Sequence, residues 1–260
     1  MKVCSKEMIG RALDGIEARH GCRVLFAVES GSRAWGFASP DSDYDVRGVY
    51  VRPLEWYLQL REGLPDTIVE SLPGDLDISL WDLRKALLQM SKSNASFLEW
   101  LRSPLVYRDG GLTGQLDALK SGCFNPVHVA YHYASMFRKA MEARNADGSI
   151  RIKKLCYALR ASLCLRYVMD EEEMPPTSFG EVRKAVELSK AEEDAIQEIL
   201  AKKESALECD VLKLDDRLDG LLADRYELIS KHPWRKNVSA EPAYRSLEEL
   251  FRSHLTAFRG

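Results

Sequence analysis

The sequence has no long apolar run and no strong net charge. Among its 260 residues no apolar stretch approaches the length of about 18 residues that a membrane-spanning helix requires, so we expect no membrane anchor. Residues 1–18 are charged and lack the apolar core of a secretory signal, so we expect no export. The formal net charge of −3 argues against a uniformly basic nucleic-acid binder, although it leaves room for a local basic cleft.

Closely spaced cysteine pairs are also missing. The six cysteines are scattered, with no Cys-x-x-Cys pair among them (Cys4, Cys22, Cys123, Cys156, Cys164 and Cys209). This spacing argues against a disulfide framework and against a zinc site. It predicts reduced thiols and a cytoplasmic location.

Two groups of chemically informative residues lie close together within Val24–Val51, which reads VLFAVESGSRAWGFASPDSDYDVRGVYV. An apolar, strand-like run ends at Gly31-Ser32, and a second strand is predicted to begin near Asp45. Residues two apart in a strand point to the same face, so Asp43 and Asp45 are expected side by side. Two adjacent carboxylates repel each other unless a positive group lies between them, and Mg²⁺ is a natural partner.

Gly31 and Ser32 have features that suit a phosphate group. Glycine lets the backbone approach a phosphate closely, and the Ser32 hydroxyl and neighbouring N–H groups can donate hydrogen bonds to it. A short helix from Ser32 to Phe37 would add the favourable end of its dipole. Taken singly, the glycine-serine pair also fits an ordinary turn, and the aspartates also fit a solvated loop. Their combination favours a site for a phosphate group and a divalent cation.

This combination resembles a known signature. Gly31-Ser32, a gap and Asp43-Tyr44-Asp45-Val46 are similar to the motif of the DNA polymerase beta superfamily of nucleotidyltransferases. More narrowly, ESGSRAWGFASPDSDYDVRGVYV resembles the RlaP-like nucleotidyltransferases, which are associated with RNA repair. Further similar segments are PLEWYLQL, WDLRKALLQM and SNASFLEWLRSPLVY, and a weaker similarity extends into IRIKKLCYALRASLCLRYV. The resemblance covers most of the first two-thirds of the chain.

The resemblance implies a third carboxylate, which helps to bind the metal that activates the acceptor hydroxyl. Asp77 is the candidate, because it would lie on the polar face of a strand at residues 76–80. The simpler interpretation is that Asp77 only follows a turn. Asp75 and Asp82 are alternatives, and Asp82 is better suited to be the N-cap of a helix at residues 83–90.

Cationic and aromatic residues complete the predicted nucleotide site. Arg33 adjoins the glycine-serine pair, and Arg47 continues the strand face of the aspartates. On a helix predicted at residues 152–169, Lys154 and Tyr157 would supply a charge for the triphosphate and a ring for the base. The resemblance implies that related enzymes use a lysine and a tyrosine of their helical domain in this way. An exposed basic stripe is an equally good interpretation of this helix.

The predicted fold class is α+β. A polymerase-beta-like nucleotidyltransferase head, with a short mixed sheet and helices, is expected at residues 1–110, and a helical domain at 111–260. A turn predicted at Arg108–Gly111 marks the boundary. In the second part we expect a helix at Leu212–Ser230 and a loop bounded by Pro233 and Pro242.

The expected activity is transfer of a nucleoside monophosphate from an NTP to a hydroxyl acceptor, with release of pyrophosphate. Asp43, Asp45 and Asp77 would bind two Mg²⁺ ions, for which Mn²⁺ could substitute. RNA is the acceptor that the resemblance implies. A protein hydroxyl, as in toxin–antitoxin pairs, is one alternative, and a nucleotide-binding regulatory module without turnover is another. No feature of the sequence predicts an oligomeric state or the base of the NTP.

Overall fold

The computed structural model describes residues 5–39, 42–60, 63–205, 210–214, 217–220, 222, 227 and 244–258. Within these residues a five-stranded mixed sheet with helices is followed by a mainly helical part. This arrangement confirms the predicted α+β fold class. None of the helices in these ranges is both long enough and apolar enough to cross a membrane.

The helices and strands are numbered here in chain order. They are α1 (Lys6–His20), β1 (Arg23–Ser30), α2 (Gly31–Trp35), β2 (Tyr44–Val51), α3 (Leu54–Tyr57), β3 (Thr67–Leu72), β4 (Leu76–Asp82), α4 (Leu83–Ser91), α5 (Ala95–Trp100), β5 (Val106–Asp109), α6 (Leu112–Leu119), α7 (Pro126–Glu142), β6 (Ser149–Arg151), α8 (Ile152–Glu171), α9 (Phe179–Ala185), α10 (Lys190–Ser205), β7 (Val211–Lys213) and α11 (Tyr244–Ala257). A short 3₁₀ helix (Lys120–Gly122) follows α6.

The chain divides into two compact units. The sheet unit comprises Met1–Ala34, Asp43–Asn125 and Ser239–Gly260, and the helical unit comprises Trp35–Ser42 and Pro126–Val238. Residues 35–42 therefore belong to the helical unit, although the chain on either side of them belongs to the sheet unit. The assignment of catalysis to residues 1–110 and of a helical domain to 111–260 stays a prediction.

The five strands of the sheet unit lie in the order β3-β4-β2-β1-β5. β1 and β2 are antiparallel neighbours, as are β1 and β5 and also β3 and β4. β2 and β4 are parallel, in a register that pairs Asp45 with Asp77 and Arg47 with Ser79. Because parallel strands begin at the same edge of a sheet, the first residues of β2 and β4 lie next to each other.

Both faces of the sheet are covered. On one face Val49 and Val51 of β2 pack in a core with residues of α4, α5, α6 and α11. On the other face Val46 and Tyr50 pack in a second core that includes Ile9, Leu13 and Ile16 of α1. Alternation along β2 explains this division, since successive strand residues point to opposite faces.

Local signals fix the ends of α1. Ser5 is the N-cap, and its hydroxyl accepts a hydrogen bond from the Met8 N–H. Gly21 ends the helix in the left-handed conformation that glycine adopts most readily. The chain therefore turns directly into β1 at Arg23.

Two local predictions are wrong. Arg108 and Asp109, predicted to lie in a turn, belong to β5, because pairing with β1 outweighs the turn signal of the following glycines. Leu212 and Lys213, predicted to begin a helix, lie in β7, which pairs with β6. Residues 217–220 are helical as predicted, whereas most of the remaining residues up to Ser230 lie outside the described ranges, as does the loop predicted between Pro233 and Pro242.

Substitution of Gly48 by alanine should destabilise the sheet unit strongly. A Cβ at Gly48 would collide with the Phe26 carbonyl oxygen and would lie 3.0 Å from the Ala27 Cα. We expect Gly48→Ala to lower the free energy of unfolding by about 2 kcal/mol or more, because backbone atoms cannot yield to the new methyl group. The control is Gly10→Ala, since a Cβ at Gly10 of α1 meets nothing within 4 Å. Urea denaturation that gave equal stability for the two variants would contradict the packing described for β2.

Candidate active site

The parallel pairing of β2 and β4 places two carboxylates side by side. Asp45 and Asp77 are register partners, and their side chains are 31% and 37% exposed. Arg47 contacts both, with its Nη2 2.8 Å from Asp45 Oδ1 and 2.9 Å from Asp77 Oδ2. The guanidinium therefore offsets the repulsion between the two carboxylates.

The Arg47 side chain is held by further hydrogen bonds. Its Nη1 donates to the Val46 carbonyl at 3.0 Å and to the Asp77 carbonyl at 3.2 Å. One planar guanidinium thus joins the backbone and the side chains of two neighbouring strands. Arginine suits this position because its donors form a fixed fork.

Asp43 lies just before β2 and is exposed. In the part of the chain that the structure describes, no three acidic, histidine or cysteine side chains converge into a potential metal site. The Asp43 carbonyl accepts a hydrogen bond from Arg33 Nε at 3.0 Å, and the Arg33 Cζ lies 3.8 Å from the centroid of the Tyr44 ring. Arg33 therefore supports the backbone at the beginning of β2. The proposed roles of Asp43 and Arg33 toward metal and nucleotide stay predictions.

Gly31 brings the end of β1 close to Asp45. It begins α2 with a positive φ of 66°. A Cβ at this position would lie 2.5 Å from Asp45 Oδ2, so only glycine combines this backbone conformation with this close approach. The neighbouring Ser32 is only 4% exposed. Binding of phosphate by this pair stays a prediction.

The sequence interpretation overlooked Glu29, a fully buried carboxylate in β1. Its Oε1 accepts a hydrogen bond from the Asp45 N–H at 2.8 Å, and its Oε2 accepts one from the Tyr107 hydroxyl. Burial raises the pKa of Glu29, although these two hydrogen bonds act in the opposite direction. A charged residue within the apolar run VLFAVES was the available signal, because a buried polar residue is more informative than an apolar one.

The structure places Asp77 differently from Asp75 and Asp82, the two alternatives for the third carboxylate. Asp82 is the N-cap of α4, where it accepts hydrogen bonds from the Arg84 N–H at 2.9 Å and the Tyr57 hydroxyl at 2.7 Å. This confirms the predicted cap, and burial raises the pKa of Asp82. Asp75 lies in the turn before β4 with a φ of 57°. Asp77 is therefore the carboxylate that lies beside Asp45, while its role as a metal ligand stays a prediction.

Lys154 and Tyr157 belong to α8 of the helical unit. The Tyr157 ring packs edge-on against Trp35, with centroids 5.0 Å apart, and lies 6.2 Å from Phe37. Lys154 Nζ lies 6.0 Å from the centroid of the Tyr157 ring. These contacts place a lysine and a tyrosine together, and their use in nucleotide binding stays a prediction.

A comparison with protein families extends this description. The profile of the RNA repair pathway DNA polymerase beta family, RlaP, matches residues 5–253. The chain belongs to the RlaP family. This confirms the resemblance seen in the sequence, and RlaP membership together with the α+β sheet unit indicates a polymerase-beta-type nucleotidyltransferase.

Individual relatives of this RlaP chain cover different shares of it. The uncharacterized protein YcgL of Bacillus subtilis is 42% identical over 175 residues, which are 67% of each chain. An uncharacterized protein of Methanocaldococcus jannaschii is 27% identical over 140 residues, which are 53% of this chain and 56% of that protein. A solved nucleotidyltransferase-like protein from Exiguobacterium sibiricum is 15% identical, with a TM-score of 0.35, over 94% of this chain and 80% of that one. The chain therefore matches about two thirds or less of the length of its curated relatives.

The bridging position of Arg47 predicts a change of sign in a mutant cycle. In the unmodified protein, Asp77→Asn should lower the free energy of unfolding by about 0.5 kcal/mol, because it removes a partly exposed ion pair. In an Arg47→Met background the same substitution should raise that free energy by a similar amount, because it removes repulsion from Asp45. Urea denaturation at low salt is the measurement.

Arg33→Met is the matched background for this cycle. The Arg33 guanidinium, which this variant removes, contacts the Asp43 carbonyl and the Tyr44 ring instead of the Asp45–Asp77 pair. We expect Asp77→Asn to remain destabilising there. If Asp77→Asn destabilised the Arg47→Met protein as it does the unmodified protein, the bridging role of Arg47 between Asp45 and Asp77 would be refuted.

Proposed function

We propose that this RlaP protein is a Mg²⁺-dependent nucleotidyltransferase, in which Mn²⁺ can replace Mg²⁺. It transfers a nucleoside monophosphate from an NTP to a hydroxyl acceptor, for which we propose RNA, and releases pyrophosphate. The observation that carries the proposal is the Asp45–Asp77 pair, held side by side at the beginning of two parallel strands. Family membership supports the same class of chemistry.

The carboxylate pair suits a divalent cation by its donor chemistry. Mg²⁺ in nucleotide sites is usually bound through one or two carboxylates together with substrate phosphates and waters. Asp45 and Asp77 supply two partly exposed carboxylates of this kind. In our proposal Asp43, Asp45 and Asp77 hold two ions, which when bound neutralise phosphate charge and lower the pKa of the acceptor hydroxyl.

The protein's own residues then bind and orient the substrate. The close backbone approach at Gly31, the Ser32 hydroxyl and the Arg33 guanidinium would hold the β- and γ-phosphates. Arg47 would limit repulsion between the carboxylates and the incoming phosphates. For the helical unit we propose that Lys154 supplies a positive charge for the triphosphate and that the Tyr157 ring stacks on the base.

The reaction that this arrangement serves is an in-line displacement. The acceptor oxygen forms a bond to the α-phosphorus, while the bond from that phosphorus to the oxygen bridging the α- and β-phosphates breaks, and this oxygen leaves as a terminal oxygen of pyrophosphate. The hydroxyl proton leaves to solvent, and pyrophosphate carries away the negative charge. Catalysis of this kind needs positioning and electrostatic stabilisation, which the carboxylate pair and the nearby arginines offer.

Two further expectations belong to this proposal. We propose that the catalytic residues lie within residues 1–110 and that the helical domain predicted at 111–260 corresponds to its part in the helical unit, since residues 111–125 and 239–260 belong to the sheet unit. We also propose a cytoplasmic location, which the free thiols of Cys22 and Cys156 support.

A labelling assay tests the proposed function. The purified protein is incubated with each α-³²P-labelled NTP, with Mg²⁺ or Mn²⁺, and with total RNA plus lysate protein. We expect label to move into RNA, and to fall by more than about 100-fold in an Asp43→Asn, Asp45→Asn double variant. Removal of a direct metal ligand should reduce activity by more than the roughly 10–100-fold that is typical when a residue hydrogen-bonded to a ligand is replaced.

The matched pair in this assay is Asp77→Asn and Asp75→Asn. We expect the first to reduce labelling as strongly as the double variant and the second to leave it within a few-fold, since asparagine tolerates the left-handed conformation of position 75. Label that moved into a protein band instead of RNA would refute RNA as the acceptor and favour a protein hydroxyl. Intact NTP binding without any label would refute the enzyme and favour a nucleotide-binding module.

A further inference from the structure

Glu29 uses all of its polar groups within the sheet unit. Its side chain accepts hydrogen bonds from the Asp45 N–H and the Tyr107 hydroxyl. Its own N–H donates to the Leu105 carbonyl at 2.8 Å, and its carbonyl accepts from the Ser103 hydroxyl at 2.6 Å. One buried residue of β1 is therefore tied both to β2 and to the segment that leads into β5.

The position of Asp45 in β2 makes this connection significant. Ser30 and Asp45 are the last register partners of the β1–β2 pair, so Asp45 lies where this ladder ends. On its other side β2 pairs with β4 here, through the Asp45–Asp77 register, but toward β1 the regular pairing ends and a strand edge without a partner can fray. The hydrogen bond from the Asp45 N–H to Glu29 Oε1 supports the backbone at that point.

Tyr107 reaches Glu29 because β5 contains a bulge. Ala27 pairs with Arg108 and Val28 pairs with Val106, so Tyr107 is one extra residue opposite two consecutive residues of β1. A bulge redirects side chains from their regular positions in a strand. Here the Tyr107 hydroxyl donates to Glu29 Oε2. The irregular register of β5 thus fixes the carboxylate that supports Asp45.

Burial of a carboxylate is costly unless its oxygens are hydrogen-bonded. An apolar residue would fill this fully buried position at lower cost if only packing mattered. We infer that Glu29 and Tyr107 are a positioning pair, which fixes the Asp45 backbone and thereby the direction in which the Asp45 carboxylate is presented to a divalent cation. This inference rests on the proposed function in so far as it makes Asp45 a metal ligand.

The first test measures Mn²⁺ affinity by calorimetry without nucleotide. Residues that orient a metal ligand typically contribute 10–100-fold to metal affinity. We expect Tyr107→Phe to weaken Mn²⁺ binding about 10-fold and Glu29→Leu to weaken it more. Glu29→Gln should restore much of the loss, because its amide oxygen can still accept from the Asp45 N–H.

Tyr57→Phe is the matched control. The Tyr57 hydroxyl also donates to a buried carboxylate, Asp82, at 2.7 Å, but at the opposite end of β4 from Asp77. A merely structural role predicts that Tyr57→Phe and Tyr107→Phe lower the melting temperature alike and leave Mn²⁺ affinity alike. A positioning role predicts that only Tyr107→Phe weakens Mn²⁺ binding.

A second measurement separates this inference from the proposed function. Amide hydrogen exchange at Asp45 should accelerate at least about 10-fold in Tyr107→Phe and in Glu29→Leu, but not in Tyr57→Phe. If Tyr107→Phe and Glu29→Leu left the exchange rate at Asp45 unchanged, or bound Mn²⁺ as tightly as the unmodified protein, the positioning role of Glu29 and Tyr107 would be refuted. If the unmodified protein bound no Mn²⁺, the proposed metal site would fail, and exchange at Asp45 would still decide whether the pair fixes this strand.

Discussion

The parallel register of β2 and β4 is the constraint on which the candidate site depends. It sets Asp45 opposite Asp77 at the edge where both strands begin. Two carboxylates in this position repel each other, so the arrangement requires a positive group, and the Arg47 guanidinium supplies one. The apolar side chains of β2 pack with helices on both faces of the sheet, which stabilises the strand that carries Asp45.

The position of Asp45 at the beginning of β2 also constrains its neighbours at the end of β1. Gly31 is needed because a Cβ there would lie 2.5 Å from Asp45 Oδ2. Glu29 is tolerated as a buried carboxylate because the Asp45 N–H and the Tyr107 hydroxyl satisfy its oxygens. The site thus combines carboxylates that are open to solvent with a support that is buried in the sheet.

Features with a local signal could be predicted from the sequence. The caps at Ser5 and Asp82 depend on residues within three positions, and the alternation in β4 depends only on the period of a strand. Features set by distant residues could not be predicted. β5 exists because it pairs with β1, and nothing local marks Arg47 as the group that contacts Asp45 and Asp77 together.

The most direct test of the account is a crystal structure with Mn²⁺ and a non-hydrolysable NTP analogue, examined by anomalous scattering. The account predicts an anomalous peak about 2 Å from carboxylate oxygens of both Asp45 and Asp77, with phosphate oxygens on the same ion. Such a peak would establish the paired strands as the metal site. A peak bound only by phosphate, or by residues away from the beginning of β2 and β4, would contradict the central claim.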